Sequence, residues 1–190
     1  SSTPRRDRGR WAPAPRRRPG SASDSLGAVT LELLIVRHAI AVDREAGWED
    51  ADRPLTLKGV ARLEKAVAGL TRHGVALDRI LVSPWRRAQE TAERLAVLLD
   101  RGEVVTTEEL ARAPRKELLR ELRSGERVAV VGHEPWLGEL CAWLCTGKRE
   151  LGSHFAMKKA GAATLFGDAA PGGMALTAFL PPKVLRRMAP

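Results

Sequence analysis

The stretch LLIVRHAIA, residues 33–41, runs four apolar residues straight into an arginine, a histidine and then small residues again. A short uncharged apolar run of this kind reads as a strand buried on both faces of a sheet. Such a strand seldom ends on a guanidinium beside an imidazole, so Arg37 and His38 mark a strand end that opens onto something polar. The pattern recurs downstream. RILVS (79–83) leads into PWRRA, and RVAVVGH (127–133) leads into EP. With LELLIV (31–36) as the first strand, VVTT (104–107), AATLF (162–166) and GMALTAFL (173–180) complete the set.

Helical patterns fill the gaps between these strands. Thr56 is placed to cap LKGVARLEKAVAGLTRHG, where Val60, Leu63, Val67 and Leu70 recur at helical spacing and Gly74 marks the end. Pro84 opens WRRAQETAERLAVLLD (85–100), PRKELLRELRSG (114–125) forms another helix, and Pro135 opens EPWLGELCAWLCTG (134–147). Strand–helix alternation predicts an α/β fold: a three-layer, doubly wound, mainly parallel sheet. The last two strands are close enough to pair as a hairpin, which predicts an antiparallel edge strand.

Composition bounds the rest. A chain of 190 residues with 44% apolar content supports one core, and no run of about 18 uncharged apolar residues predicts a membrane span. The net charge of +9 is unevenly placed: residues 1–30 carry seven arginines against Asp7 and Asp24, which is +5, leaving +4 for the other 160. This Arg/Pro/Ser/Gly-rich segment cannot bury enough apolar surface to offset its ordering entropy, and reads as a disordered N-terminal tail. Nucleic-acid binding is expected only through that tail, if anywhere. The Arg-rich start followed by LGAVTLELLIV imitates a signal peptide, but Glu32 breaks the apolar run and cleavage there would remove Arg37 and His38. Cys141 and Cys145 share a helix face and read as small buried hydrophobes, which fits a reducing cytoplasm. The expected organisation is therefore a tail over 1–30, a domain over 31–182 and a C-terminal tail over 183–190.

In parallel sheets, ligands bind beyond the carboxyl ends of the strands. Three strands carry polar groups there: IVRHA (35–39), SPWRRA (83–88) and VVGHEP (130–135). Two histidines and two or three arginines on one rim make a site for a dianion, most naturally a phosphoryl group, because a guanidinium fork matches phosphate oxygens and keeps its charge. Two chemistries remain open: nucleophilic attack by an imidazole through a phospho-enzyme, or phosphate binding alone. No paired carboxylates follow the strands, so no metal and no cofactor is expected.

LLIVRHA, SPWRRAQETA and VVGHEP together resemble the histidine phosphatase superfamily, whose signature is an Arg-His pair at the first strand end. DRPLTLKG (52–59) and VGHEPWLGEL (131–140) are similar to its SixA branch, the small phosphohistidine phosphatases. The resemblance spans about residues 33–166. It implies a phosphoglycerate-mutase-like fold, His38 as nucleophile, and Arg37, Arg87 and His133 completing a phosphate pocket. Arg87 holds the matching place before Ala88, which leaves Arg86 on the solvated helix face. The acidic proton donor of larger members has no clear counterpart; Glu108, Glu109, Glu134 and Asp43 are the candidates. A phosphohistidine substrate departs as imidazole, a better leaving group than an alkoxide, and needs less help from an acid. The implied substrate is phosphohistidine on a partner protein, with a small phosphomonoester or nucleotide as the alternative. A non-catalytic phosphate-binding module is the other class, against which both histidines argue. His73 reads as a helix-end cation, His154 as a loop residue, and Lys158 and Lys159 as solvated. Trp48, Trp85 and Trp136 flank the three loops and read as pocket walls or, more simply, as half-buried packing, and Asp52–Arg53 reads as turn support.

Overall fold

The computed structural model describes residues 30–189. The tail read from the sequence, apart from Thr30, lies outside the described residues. Six strands form one sheet: β1 (Leu31–Arg37), β2 (Leu77–Val82), β3 (Leu99–Thr106), β4 (Arg127–Gly132), β5 (Ala162–Gly167) and β6 (Met174–Leu180). Their order across the sheet is β3-β2-β4-β1-β5-β6. β3, β2, β4 and β1 run parallel, β5 is antiparallel to β1, and β6 is antiparallel to β5.

The reversed strand is therefore β5, second from the edge; β6, the edge strand itself, points with the parallel four. The edge strand β6 pairs antiparallel with β5, as the expected hairpin of the last two strands requires, and the reversal of direction falls on β5. The cause lies in the segment before β5, which climbs back to the rim where β1 ends. There the Ala160 N–H donates to the carbonyls of Arg37 and His38, both at 3.1 Å. A strand that starts beside the end of β1 must run against it.

Among the described residues, five α-helices cover the sheet: α1 (Leu57–Arg72), α2 (Arg86–Leu95), α3 (Lys116–Glu121), α4 (Trp136–Thr146) and α5 (Pro182–Met188). Because side chains alternate along a strand, β1 and β4 feed two separate cores. Leu34, Val36, Ala129 and Val131 pack with Leu63 and Leu70 of α1, Ala88 and Ala92 of α2, and Leu185 of α5. Leu33, Ile35, Val128 and Val130 pack with Leu118 of α3 and Leu137, Leu140 and Cys141 of α4. The result is the expected three-layer α/β architecture. Cys141 is fully buried, Cys145 is partly buried, and both are free thiols.

Several boundaries differ from the sequence reading, and two of the differences have a visible cause. The helix expected to reach Asp100 stops at Leu95; a 3₁₀ turn (Ala96–Leu98) follows, and Leu99 already belongs to β3. Pairing with β2 wins over helical spacing at that point. Residues 182–188, expected within or beside a C-terminal tail, form α5 instead. Leu185 is 2% exposed and α5 lies across α1 where Gly69 has no side chain; a Cβ there would collide with the Leu185 carbonyl. One buried leucine and one close backbone approach turn a short polar sequence into a docked helix, and neither shows in local periodicity.

Candidate active site

His38 stands one residue beyond β1, and its N–H donates to the Gly132 carbonyl at 3.0 Å. In the parallel register Arg37 lies opposite Gly132. The next residues, His38 and His133, are thereby brought together, with ring centroids 5.1 Å apart. Both are buried, at 6% and 3% exposure. The His38 Nδ1 lies 2.7 Å from the Ala39 carbonyl, which only accepts; Nδ1 therefore carries the proton and Nε2 keeps its lone pair. The Arg87 Nε faces that nitrogen at 3.3 Å.

Arg87 reaches the site from the first turn of α2, almost fully buried. Its Nη1 donates to the Asp50 carbonyl, its Nη2 lies 3.4 Å from Asp50 Oδ2, and its guanidinium sits 4.5 Å above the Trp85 ring. The turn below is tied back to β1: Thr91 donates its hydroxyl to the Arg87 carbonyl at 2.7 Å and accepts from the Ala39 N–H at 3.1 Å. Arg37 closes the other side, with Nη1 donating to the Met157 carbonyl at 2.6 Å. Met157 is held in turn by Glu134, whose carboxylate accepts from the backbone N–H groups of Met157 (2.7 Å) and Gly138 (3.2 Å). His133 is positioned by Ser83, the residue after β2, with Nε2 and Oγ 2.8 Å apart. Its Nδ1 is buried and has no hydrogen-bond partner among the described residues.

Burial pushes the His38 imidazole down to about 3, helped by the positive charge of Arg87, Arg37 and Lys159 and opposed by the hydrogen bond to Ala39. Burial likewise pushes His133 down to about 2, with His38 and Arg87 adding to the effect. Both rings are neutral at physiological pH, so the His38 Nε2 lone pair is available as a nucleophile. Burial also lowers the two arginines, Arg37 and Arg87, but a guanidinium remains charged. Burial raises the Asp50 carboxyl, yet Arg87, Arg53 and Arg44 outweigh it and hold the group below its ordinary value. The arrangement combines a neutral nucleophile with two fixed cations, which suits a dianion at the moment of displacement.

Of the residues singled out from the sequence, Arg37, His38, Arg87 and His133 come together. Arg86 is solvent-exposed and pairs with Glu90 at 2.8 Å. His154 and Lys158 are exposed, and Lys159 is half-buried with its charge felt at His38. Among the carboxyl candidates, Asp43 and Glu108 face solvent, Glu109 pairs with Arg115 at 2.6 Å, and Glu134 is spent on two backbone amides. Two of the three tryptophans follow the pocket-wall reading rather than packing alone. Trp85 lies 4.4 Å from the His133 ring and Trp136 meets that ring edge-on at 6.2 Å, so both wall the pocket. Only Trp48 stays outside, 45% exposed under the guanidinium of Arg86. Ser83 and Asp50 were missed as site residues. Ser83 sits in the quoted SPWRRA motif but carries no local sign of its bond to His133; Asp50 meets Arg87 across 37 residues of chain. No three His, Cys, Asp or Glu side chains cluster as metal ligands among the described residues.

Comparison with known proteins points the same way. Residues 33–113 match the model of the histidine phosphatase superfamily, branch 1. An uncharacterized protein of Picosynechococcus sp. strain PCC 7002 is 38% identical over 139 residues, covering 69% of this chain and 82% of that protein. The protein histidine phosphatase SixA, solved with tungstate, superposes with a TM-score of 0.65 at 26% identity, covering 81% of this chain and 99% of SixA. A phosphoserine phosphatase from Entamoeba histolytica shares the fold at a TM-score of 0.64 and 18% identity, over 82% of this chain and 99% of its own. With the motif order, the sheet and the Arg-His rim in agreement, the chain belongs to the histidine phosphatase superfamily, is SixA-like within it, and has the phosphatase chemistry of that superfamily.

Proposed function

We propose that the chain hydrolyses phosphohistidine on a partner protein through a phospho-His38 intermediate. The observation that carries this reading is the state of His38: Nδ1 faces a carbonyl acceptor, and Nε2 faces the Arg87 guanidinium, with the His133 ring 5.1 Å away. The His38 Nε2 attacks phosphorus, the bond from phosphorus to the substrate imidazole breaks, and that imidazole leaves with a proton supplied by solvent. Water then attacks phosphorus, the P–Nε2 bond breaks, and inorganic phosphate is released. Arg37 and Arg87 hold the equatorial oxygens throughout, and His133 offers its unpartnered nitrogen to the same group. The domain over 31–182 supplies every group in the cycle.

The acid requirement supports phosphohistidine over an alkyl phosphate. Asp50 is held ionised by three arginines and is a poor proton donor, and Glu134, though burial raises its carboxyl, accepts from two backbone amides with its two oxygens. An imidazole leaving group tolerates this; an alkoxide does not. The likeness to SixA leans the same way. A small phosphomonoester is the second reading, since a phosphoserine phosphatase shares the fold. A site of this composition at work in the cytoplasm, on phosphoproteins, completes the proposal; no described helix is long and apolar enough to cross a membrane.

The test is turnover of a protein phosphorylated on histidine, alongside p-nitrophenyl phosphate, with and without EDTA. The expected result is preference for the phosphoprotein, acid-labile label trapped on His38, no loss with EDTA, and no turnover by His38→Ala. Turnover by His38→Ala refutes the nucleophile, and preference for the ester refutes the substrate.

A further inference from the structure

Beside the phosphate pocket lies an open groove of about 630 Å³, bounded by α1, α5 and the loop leading into β5. Arg37 belongs to both: one edge of its side chain lines the groove while its Nη1 is fixed at the rim of the pocket. Arg62 joins it from α1, Lys158 and Lys159 from the loop, and Lys183, Arg186 and Arg187 from α5.

The charge balance here departs from the rest of the molecule. Residues 30–190 hold 25 basic side chains (32 less the seven arginines before them) and 21 acidic ones (23 less Asp7 and Asp24). Seven of the 25 line this groove and none of the 21 does, so it holds more positive charge than that segment's whole excess of four. The other arginines of the structure are commonly paired, as Arg53 is with Asp50, Arg115 with Glu109 and Arg127 with Asp78. None of the seven groove cations forms an ion pair among the described residues. Like charges gathered without ion-pair partners repel one another, although Arg37 still feels the Glu134 carboxylate, and an anionic ligand relieves that repulsion.

We infer that this groove is a docking site for an acidic segment of the protein substrate, next to its phosphorylated side chain. The inference rests on the phosphoprotein reading above. Three features choose an acidic peptide. First, the cations are spread over three elements, and Arg62, Lys158, Lys183 and Arg187 are exposed, which suits distributed charge better than one compact dianion. Second, the floor between them is apolar: Ile40, Pro181, Pro182 and Val184 give alternating peptide side chains something to pack on. Third, no aromatic ring lines the groove, so it lacks the stacking platform that single-stranded nucleic acid uses. Continuity through Arg37 then places a bound segment beside the reacting phosphoryl group. The basic N-terminal segment of this chain carries the wrong sign to be the occupant.

The experiment compares wild type with Arg62→Glu/Lys183→Glu, two exposed positions on two elements and outside the phosphate pocket. Both proteins keep residues 1–29, so attraction to that basic segment cancels in the comparison. The probe is a fluorescein-labelled peptide of alternating Glu and Leu without phosphate, read by anisotropy. Expected are a Kd weaker by roughly tenfold or more in the variant, and steep weakening in wild type as ionic strength rises. Retained turnover of p-nitrophenyl phosphate by the variant shows that its fold and pocket are intact. Equal peptide affinity in the two proteins overturns the inference. So does an oligothymidylate of equal charge that binds tighter than the peptide and loses more affinity in the variant, which assigns the groove to nucleic acid. Peptide binding at the groove without turnover of any phosphohistidine protein refutes the proposed substrate while upholding the groove as a peptide site.

Discussion

Lowering the pH from 7 to 5 should destabilise this protein through its two pocket histidines, and the size of the effect follows from their burial. In the unfolded chain an imidazole titrates near 6.5, whereas the folded state holds His38 down to about 3 and His133 down to about 2. Both pKa values are depressed by folding. The neutral rings therefore cost nothing above about pH 6.5, and stability is lost as pH falls from there toward the folded values. At pH 5 an unfolded histidine lies about 1.5 units below its pKa and gains about 2 kcal/mol from a proton that the folded ring refuses. Neither ring takes up a proton in the folded state at that pH, so the two contributions add to about 4 kcal/mol, a large part of a typical domain's stability. Carboxylates titrate over the same range, so the informative quantity is a difference between proteins. Urea unfolding at pH 7 and pH 5 should show the acid loss reduced by about 2 kcal/mol in His38→Asn, whose amide does not titrate. An identical pH dependence in wild type and variant refutes the buried neutral imidazole, and with it the ready nucleophile.

The clamp, the positioning network and the docked helix each have a test of their own. Arg87→Ala removes the donor facing His38 Nε2 and should lower kcat by about 10²–10³; Arg87→Lys keeps the charge without the fork and should recover little of it, as steady-state kinetics will show. Ser83→Ala leaves both nitrogens of the buried His133 ring without a protein partner and should cost about 1–3 kcal/mol in denaturant unfolding, with kcat/KM falling as the ring loses its fixed orientation. Gly69→Ala drives a methyl group into the Leu185 carbonyl and should cost about 1–3 kcal/mol, visible as a lower urea midpoint. Because that change loosens α5, it should also weaken the acidic peptide at the groove while p-nitrophenyl phosphate is still turned over.

Much of this protein is legible in one dimension because its determinants are local. The apolar runs around Leu33–Val36 and Val128–Val131 specify buried strands, and Thr56 and Gly74 bracket α1 with a cap and a left-handed stop. Arg37, His38, Arg87 and His133 announce themselves by standing at or just after strand ends, which a parallel sheet gathers on one rim. What the sequence could not determine depends on contacts between distant segments. The direction of β5 was decided by the climb of residues 149–161 back to the end of β1, sealed by the Ala160 hydrogen bonds. The same kind of contact drew Ser83 to His133 and Asp50 to Arg87, neither of which leaves a periodicity or a spacing to read. The basic groove follows the same rule. Its cations are scattered from Arg37 to Arg187, and only the docking of α5 on α1, through a missing Cβ at Gly69 and one buried leucine, collects them into a single field.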